Sequence, residues 1–535
     1  MKKIGLITFT GDLFSFGIRS IEAYLRKLGH EVLTINCTSK EDNYINLLTE
    51  FQLRMLAEKC KDVDVIGISL ISIHSTNRLK QVYDYLKGNC NSTIVIGGVP
   101  VTLNPRMFLE FAEFVCVGEG ETFFPHFLNS KNNSEVPGLG YKSSDGNVYI
   151  NAKLPYIDIN QIPIHRFDFK NTYILNEQGI HSLYEKPEIL YKFTNSKGYR
   201  IFQSRGCTLA CTYCCNRQLK NIFKGHGKHL RHYRIERIIE EIEYAKNIIP
   251  NLKRVKFMED DFASWQSADL KMLIKEYQKR ISLPFSFYAT PYTLTTEKLN
   301  ILIDNKAQIE WIKVGLQSAS EKVSKQIYKR AFNKSKIINI IEQITSHNIF
   351  LRLDMILQNP YESYSDRAES IDFFYDLGQK LKKTSQSYKL IEIGLFSLTF
   401  YPGTELYNKA MKDGIINNDY IDDVLLSKNK YNRFGAKVSS PYALTMLSTD
   451  LILVTFYNLL MANRLTFIRH IIKRRFILKF IDLLTKNEMF RYIFIISKPI
   501  LVSIRSKITG MDKNKRPTTF YKTHFRDQAP CSSFS

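Results

Sequence analysis

The sequence predicts an α/β protein. We expect an N-terminal doubly wound parallel sheet of the flavodoxin or Rossmann type, then a partial (β/α)6 barrel, then a helical C-terminal region. Three observations predict this order: apolar runs alternate with helical patterns through residues 1–135, the alternation repeats through residues 199–402, and residues 442–507 are apolar and helix-rich with basic interruptions. With 535 residues, 44% of them hydrophobic, the chain is long enough for two or three packed units.

The N-terminal unit begins with a short apolar run at residues 3–9, which predicts a buried strand. Residues 17–29 then carry apolar side chains at helical spacing, and Gly29 is typical of a helix stop. Because strands that alternate with helices usually lie parallel, the later apolar runs predict further strands of the same sheet. They lie at residues 31–36, 63–70, 93–96 and 114–117.

Glycines follow the fourth and fifth predicted strands. Gly97 and Gly98 come directly after the fourth strand, and a Gly-Glu-Gly-Glu run at residues 118–121 follows the fifth. In doubly wound sheets, ligands bind beyond the carboxyl ends of the strands, where glycine lets a phosphate or nucleotide approach the backbone. These positions therefore predict the ligand-binding edge of the sheet.

The second unit repeats the strand–helix pattern and predicts a cavity at the carboxyl ends of its strands. Strands are predicted at residues 199–203, within 254–262, at 309–316 and at Phe350–Leu357, and a helix is predicted at Ile235–Ile248. We divide the chain into an α/β domain at 1–135, a proline-punctuated linker at 136–194, the partial barrel at 195–415, a helical region at 416–510 and a basic disordered tail at 511–535.

Three cysteines, Cys207, Cys211 and Cys214, lie close together in the loop after the first barrel strand. At this spacing all three thiolates can turn toward one centre, and thiolates are soft ligands suited to iron–sulfur clusters or zinc. A cubane cluster contains four irons, so three local ligands would leave one iron free to bind a substrate-like molecule.

Zinc and disulfides are the alternatives for this motif. A closed zinc site needs four ligands, and Cys215, His226, His229 or His232 could in principle complete one. Disulfides are disfavoured because the chain has nine cysteines, an odd number, and its start shows no secretory leader pattern. We therefore expect a reducing, cytoplasmic setting and favour the cluster.

The pattern Cys-x3-Cys-x-aromatic-Cys, with Tyr213 as the aromatic residue, resembles the signature of radical S-adenosylmethionine (SAM) enzymes. The resemblance covers residues 195–415. It implies that Cys207, Cys211 and Cys214 hold a 4Fe-4S cluster and that the open iron binds SAM beside Tyr213. It also implies reductive cleavage of SAM to a 5′-deoxyadenosyl radical, with a flavodoxin or ferredoxin as the reducing partner.

Further SAM contacts are implied by the same resemblance. Glu259 and Asp260, ahead of Asp261, would lie beside the SAM amino group, and the alternative is a solvated acidic loop. Gln317 and Ser318 stand where relatives often have Glu-Ser near the SAM ribose or carboxylate, so the charge is lost and the hydrogen bonding is kept.

Arg330 is similar to a basic position near SAM in these enzymes, and solvation at the surface is the alternative for it.

The N-terminal segment resembles the cobalamin-binding domain that precedes many radical SAM domains. The similar pieces are Ser69-Leu70-Ile71, Gly97-Gly98-Val99-Pro100 and residues 117–122. The Asp-x-His-x-x-Gly loop that supplies a cobalt-ligating histidine in some relatives is absent, and His74 is either near a ligand or a packing residue. The alternative is a vestigial domain that only shapes the substrate cavity. The resemblance implies a cobalamin site that includes Ser69, Gly97, Gly98, Gly118 and Glu119.

Positive charge is concentrated near the C-terminus. The net charge is +23, and residues 462–535 hold 16 Lys and Arg against 4 Asp and Glu. This composition is compatible with a helical cap on the barrel, a helix on an anionic membrane surface, or nucleic-acid binding. We favour the cap and expect no nucleic acid, because no RNA-reading module is visible. No apolar run is long enough to span a bilayer, so we expect a cytoplasmic protein that could associate with membranes at its periphery.

The two resemblances together imply a cobalamin-dependent radical SAM enzyme that methylates an unactivated carbon of a lipid, a peptide or a natural-product intermediate. One alternative keeps the cluster and SAM without cobalamin, for a rearrangement, oxidation or cyclisation. Another is a metal-stabilised binding protein without catalysis.

Overall fold

The computed structural model describes residues 1–9, 13–37, 46–143, 145–357, 359–384 and 390–425. The predicted helical region is described only as far as residue 425. The remainder of that region, the tail at 511–535 and the predicted membrane contact lie outside the described residues. Over the part of the chain that is described, no helix combines the length and the apolar character needed to cross a membrane.

The N-terminal sheet contains nine strands among the described residues. They are β1 (Lys3–Thr8), β2 (Glu31–Cys37), β3 (Val65–Ser69), β4 (Thr93–Gly97), β5 (Phe114–Cys116), β6 (Leu139–Lys142), β7 (Val148–Ile150), β8 (Thr172–Asn176) and β9 (Gly179–Ser182). Their order across the sheet is β7-β6-β5-β4-β3-β1-β2-β8-β9. Strands β1 to β5 pair in parallel, as predicted.

Helices cover both faces of this sheet, which confirms the doubly wound prediction. They are α1 (Phe16–Lys27), α2 (Glu50–Cys60), α3 (Thr76–Asn89), α4 (Val99–Leu103), α5 (Pro105–Phe108) and α6 (Gly120–Asn129). Leu6 of β1 packs in a core with α1 and α6, whereas its neighbour Ile7 packs in a core with α2 and α3. Successive side chains of β1 enter different cores because they point to opposite faces of the sheet.

The segment predicted as a linker differs from the prediction, because it contributes four strands to this sheet. β6 and β7 extend it beyond β5 in antiparallel fashion, while β8 pairs in parallel with β2 and antiparallel with β9. Strands of three to five residues give too short an alternation of apolar and polar positions to be recognised between prolines.

The second unit is the predicted partial barrel. Its strands are β10 (Tyr199–Ile201), β11 (Ser204–Arg205), β12 (Arg231–His232), β13 (Val255–Phe257), β14 (Phe285–Ala289), β15 (Ile309–Gln317), β16 (Phe350–Leu357) and β17 (Ile391–Ser397). Over the described residues, six of them form a parallel sheet in the order β10-β13-β14-β15-β16-β17, and β11 and β12 form a separate antiparallel hairpin.

Helices connect the barrel strands. They are α7 (Glu188–Lys197), α8 (Cys215–Ile222), α9 (Ile235–Ile248), α10 (Ser267–Arg280), α11 (Thr296–Asp304), α12 (Lys334–Ser346), α13 (Tyr364–Lys383) and α14 (Glu405–Lys412). The bounds predicted for α9 and β16 are confirmed. The strand predicted at 199–203 ends earlier, at Ile201, and β11 follows as a separate strand. β13 ends at Phe257, so the three acids lie in the loop that follows it.

Candidate functional site

The cysteine loop begins directly after β11 and ends at α8. Gly206 has a φ of +86°, and a Cβ there would lie 2.3 Å from the carbonyl oxygen of His229, so the turn out of β11 requires glycine. Thr212 ties the loop to the barrel, since its amide donates to the carbonyl of Tyr328 at 3.2 Å. Cys214 occupies the position before the first turn of α8. The backbone therefore fixes both ends of the loop.

The three predicted cluster ligands all lie in this loop, with Cys211 buried and Cys207 and Cys214 half-buried. Burial, together with the neighbouring Cys211 and Asp260, raises the pKa of Cys214 to about 12. Within the described residues, no three His, Cys, Asp or Glu side chains converge as they do around a single ion. A cubane separates its ligands more widely than one ion does, so three thiols in one loop are compatible with a cluster.

Two histidines of the zinc alternative, His229 and His232, have other partners. His229 Nδ1 lies 3.0 Å from the hydroxyl of Tyr156. His232 Nε2 lies 2.9 Å from the hydroxyl of Ser264, and its ring centroid lies 4.1 Å from that of Trp265. A zinc site built with these histidines would have to break these contacts.

Arg330 is buried beside the cysteine loop, so the surface alternative for this residue is wrong. Its Nη1 lies 3.4 Å from the Sγ of Cys211 and donates to the Tyr213 hydroxyl at 3.0 Å. Its Nη2 donates to the carbonyl of Gly315 at 2.6 Å. The guanidinium therefore holds Tyr213 and places positive charge against one predicted thiolate ligand.

The acidic segment is also buried, which excludes the solvated-loop alternative. Glu259 is 0% exposed and accepts a hydrogen bond from the Gln203 amide at 3.2 Å. Burial raises its pKa to about 8, and its Oε1 has no hydrogen-bond partner among the described residues. Asp260 accepts from Asn216 at 3.0 Å, and Asn216 lies on α8 two residues after Cys214. The segment thus borders the cysteine loop and holds a buried oxygen that a cation could satisfy.

Asp261 was ranked behind Glu259 and Asp260 as a SAM contact. It accepts a hydrogen bond from the Thr293 hydroxyl at 2.8 Å, and burial raises its pKa to about 7.

Gln317 and Ser318 lie at the end of β15. Gln317 has a φ of +67° and stands where the register between β15 and β16 shifts. Its amide packs over Gly315, the residue whose carbonyl accepts from Arg330. Ser318 is buried and its hydroxyl accepts from the Ser320 amide at 3.1 Å. Gln317 therefore lies beside the Arg330 cluster, whereas the Ser318 hydroxyl is engaged in a turn.

A cavity of about 620 Å³ lies at the carboxyl ends of the N-terminal strands, between the sheet and α1 and α6. Gly98 has a φ of +111°, and a Cβ there would lie 2.1 Å from the carbonyl oxygen of Leu70. Only glycine therefore permits this approach of the loops after β3 and β4. The five residues predicted to contact cobalamin all line this cavity: Ser69, Gly97, Gly98, Gly118 and Glu119.

Arg205 of β11 also lines this cavity, and no sequence pattern predicted this residue. Its Nη1 lies 3.1 Å from Oε1 of Glu119, and its Nη2 lies 2.6 Å from Oε1 of Glu121. Glu119 also pairs with Arg231 at 2.7 Å. Glu119 therefore lines the cavity and also forms ion pairs with two arginines of the barrel.

His74 takes the packing role. Its Nδ1 lies 2.8 Å from the carbonyl oxygen of Leu425, and its ring contacts Tyr401 edge-on at 6.2 Å between centroids. Burial lowers the pKa of His74, which favours the neutral ring.

A second cavity of about 420 Å³ lies between the two units. Ile71, Val99 and Leu103 of the N-terminal unit line it on one side, and Cys215 and Tyr401 of the barrel line it on the other. The walls are mainly apolar, and Cys215 directly follows the last predicted cluster ligand. This second cavity therefore lies next to the cysteine loop, and we call it the shared cavity because both units line it.

Two family models match the chain in the two units described above. Residues 2–128 match the B12 binding domain, and residues 201–374 match the Radical SAM superfamily. The chain is a radical SAM protein with a B12-binding domain. Among curated relatives, it is 20% identical over 466 residues to cytidylyl-2-hydroxyethylphosphonate methyltransferase of Streptomyces wedmorensis, and the match covers 75% of this chain and 79% of that protein.

Solved structures share the fold of this radical SAM protein. The cobalamin-dependent S-adenosylmethionine radical enzyme OxsB, with aqua-cobalamin bound, superposes with a TM-score of 0.61 at 15% identity, over 96% of this chain and 76% of that chain. The radical SAM methyltransferase TsrM from Kitasatospora setae, with cobalamin and a [4Fe-4S] cluster bound, gives a TM-score of 0.59 at 12% identity, over 77% and 75%.

The side chains of this radical SAM protein fit the implied groups. The three thiols offer soft donors in one loop, and Cys214 stands at the N-terminus of α8, where the helix dipole favours negative charge. Glu259 offers a buried carboxylate oxygen without a partner among the described residues, which suits an ammonium group. The glycine-lined cavity of the N-terminal unit suits a nucleotide-like group held by shape and backbone.

Proposed function

We propose that this protein is a cobalamin-dependent radical SAM methyltransferase that adds a methyl group to an unactivated carbon. The observation that carries the proposal is that the two predicted cofactor sites adjoin: Arg205 lines the N-terminal cavity and stands two residues before Cys207. When bound, a 4Fe-4S cluster supplies the electron that cleaves SAM, and cobalamin supplies the methyl carrier.

Different residues of the barrel would bind the cluster and SAM. Cys207, Cys211 and Cys214 would ligate the cluster, and Arg330 would compensate the negative charge of Cys211, which it approaches to 3.4 Å. Glu259 would pair with the SAM ammonium group. Its Oε1 is buried without a partner among the described residues, and the acidic segment that carries it borders the cysteine loop.

The other predicted SAM contacts support the same assignment. Tyr213 is held by Arg330 at 3.0 Å, Asp260 by Asn216 at 3.0 Å, and the Gln317 amide lies over Gly315. The Ser318 hydroxyl accepts from the Ser320 amide and would donate its own O–H to SAM, since both backbone groups of Ser318 already have partners.

The shared cavity supports a substrate with an apolar part. Its lining of Ile, Val, Leu, Pro and Tyr side chains would hold hydrocarbon and exclude water from the radical step. A lipid, a peptide or a natural-product intermediate meets this requirement. The curated relative and TsrM are methyltransferases by name, which supports methyl transfer as the reaction. A flavodoxin or ferredoxin would supply the electron.

One anaerobic assay separates this proposal from its alternatives. The full chain is incubated with SAM carrying a deuterated methyl group, a chemical reductant, hydroxocobalamin and candidate substrates, and the products are analysed by mass spectrometry. The proposal predicts 5′-deoxyadenosine together with a deuterated-methyl product that forms only with cobalamin. 5′-Deoxyadenosine and a product without added methyl would favour the cobalamin-independent alternative, and zinc-containing protein that leaves SAM intact would favour a binding protein.

A further inference from the structure

The hairpin that presents the cysteine loop carries two arginines directly opposite each other. Arg205 of β11 pairs across the hairpin with Arg231 of β12, and like charges at such positions destabilise a strand pair. Glu119 of the N-terminal unit offsets this repulsion, because its Oε1 lies 3.1 Å from Nη1 of Arg205 and 2.7 Å from Nη2 of Arg231. Its Oε2 accepts from Arg231 at 3.0 Å and from the Ile157 amide at 3.0 Å. The hairpin thus depends on a carboxylate from the other unit.

A second carboxylate of the same loop completes the junction. Glu121 lies 2.6 Å from Nη2 of Arg205 and accepts a hydrogen bond from the Ser20 hydroxyl. Nη2 of Arg205 donates in turn to the Ser20 oxygen at 2.5 Å. Each of these three residues is less than 10% exposed. Buried carboxylates are costly unless they are paired, so the arrangement specifies one position of Arg205.

The elements that hold the junction also form the walls of the N-terminal cavity. Ser20 lies on α1, whose Gly17, Ile18 and Ile21 line the cavity, and Arg205, Glu119 and Glu121 line it themselves. On the barrel side, Arg205 is followed directly by Gly206 and Cys207. Only glycine fits at position 206, because a Cβ there would clash with the carbonyl oxygen of His229. A change in the cavity wall therefore reaches Arg205 through side chains in contact, and it reaches the first cluster ligand from Arg205 along the backbone.

We propose that Glu119 and Glu121 are positioning residues that link occupancy of the N-terminal cavity to the order of the cysteine loop. This inference rests on the proposed binding of cobalamin in that cavity. A ligand that fixes α1 and the loop at 118–121 also fixes Arg205, and Arg205 fixes the start of the cysteine loop. Because such coupling is reciprocal, the ordered loop in turn favours the occupied cavity.

Hydrogen exchange on the full chain tests this linkage without any turnover. The probe is hydroxocobalamin, its binding is followed by absorbance, and exchange is measured by mass spectrometry at the amides of residues 204–214. We expect hydroxocobalamin to slow exchange in this segment at least about fivefold in the wild-type chain. At hydroxocobalamin concentrations that saturate each chain, Glu121→Gln should lose most of this protection, since the neutral amide pairs weakly with Arg205. Glu135→Gln, at an exposed turn, is the matched control and should behave as the wild type.

Ser20→Ala is the second variant, in case Glu121→Gln fails to fold. It keeps every charge of the junction and removes one hydroxyl, so we expect partial loss of protection. Full protection in a folded Glu121→Gln chain, or in Ser20→Ala if the former does not fold, would overturn the linkage. Binding of hydroxocobalamin to the wild type with unchanged exchange would also overturn it and leave the proposed function standing. Failure of the wild type to bind hydroxocobalamin would overturn both.

Discussion

The two predicted cofactor regions are lined by different types of residue. Around the N-terminal cavity, small residues at strand ends and apolar side chains shape most of a space of about 620 Å³, and buried charged groups line it only where it meets the barrel. Around the cysteine loop, buried charged and polar groups dominate, including Arg330, Glu259 and Asp261. The first region selects a ligand by shape and backbone approach, and the second selects by charge and metal ligation. Added bulk should therefore damage the first region, and lost charge or lost ligands should damage the second.

Loss of one thiol should give the largest effect in the barrel region. We expect Cys211→Ala to reduce bound iron to background and 5′-deoxyadenosine formation by about 1000-fold or more, since the cluster would lose one of its three anchors. Iron assay and liquid chromatography measure both. Cys215→Ala, the adjacent cysteine, is the control and should retain its iron. Retention of iron and activity by Cys211→Ala would refute the ligand assignment.

Added bulk in the N-terminal cavity should weaken cobalamin binding and leave iron unchanged. Gly97 lines the cavity, and a Cβ there meets only Cys116 at 3.4 Å. Gly97→Leu should fill part of the space and raise the Kd for hydroxocobalamin by about 100-fold, equivalent to about 3 kcal/mol. Titration by absorbance gives this Kd. Gly88→Leu is the control because its Cβ would face open space. Equal affinities of the two variants would place cobalamin elsewhere.

Removal of charge without change of shape should affect the SAM site. Glu259→Gln keeps the acceptor for the Gln203 amide and loses the anion, so we expect a Kd for SAM about tenfold higher. Burial raises the pKa of Glu259 to about 8, and only the ionised form pairs with an ammonium group. SAM affinity of the wild type should therefore rise from pH 6 to pH 8, and that of the variant should not.

Equilibrium binding measured across this pH range tests both statements. Glu240→Gln, an exposed position on α9, is the control. The same pH dependence in wild type and Glu259→Gln would exclude Glu259 as the titrating group.

A buried contact between the segment at 136–194 and the barrel should affect stability rather than cofactor binding. His165 Nδ1 lies 3.3 Å from Glu241, and burial together with Arg237 and Arg19 lowers the pKa of His165 to about 4. The unfolded chain then binds a proton between pH 6.5 and about 4 that the folded chain does not bind, so stability falls as the pH falls through this window. The loss amounts to at most about 3 kcal/mol.

Thermal unfolding at pH 7 and pH 5 tests this contact. The wild type should lose more stability on acidification than His165→Gln, which cannot take up the proton. An identical change in both chains would show that the contact does not control acid sensitivity.

Local patterns in the sequence predicted the parts of the fold that have a strong period or a special residue. α9 and β16 have the predicted bounds because each carries a continuous pattern of apolar positions. Gly98 marks the cavity because only glycine permits the close approach of two loops there, and Gly97 lines the cavity beside it. The spacing of the three cysteines is likewise a local pattern, and it predicted the cysteine loop as the candidate cluster site.

Contacts between distant residues were not predictable in this way. β11 and β12 have two residues each and are separated by 25 residues, so their pairing leaves no local signal. Arg205 meets Glu119 across 86 positions, and Arg330 meets Cys211 across 119. The family resemblance marked Arg330 as a basic position near SAM, but it did not distinguish a buried side chain from a solvated one. Its burial against the cysteine loop follows from the barrel closing around it.

Cofactor content measured on one anaerobically reconstituted sample of the full chain tests the central claim most directly. The claim is that one chain holds two cofactors in two adjoining sites of different chemistry. It predicts about four iron and about four sulfide per chain together with about one cobalamin. Protein that binds zinc in place of iron, or that takes up iron and no cobalamin after loading, would contradict it.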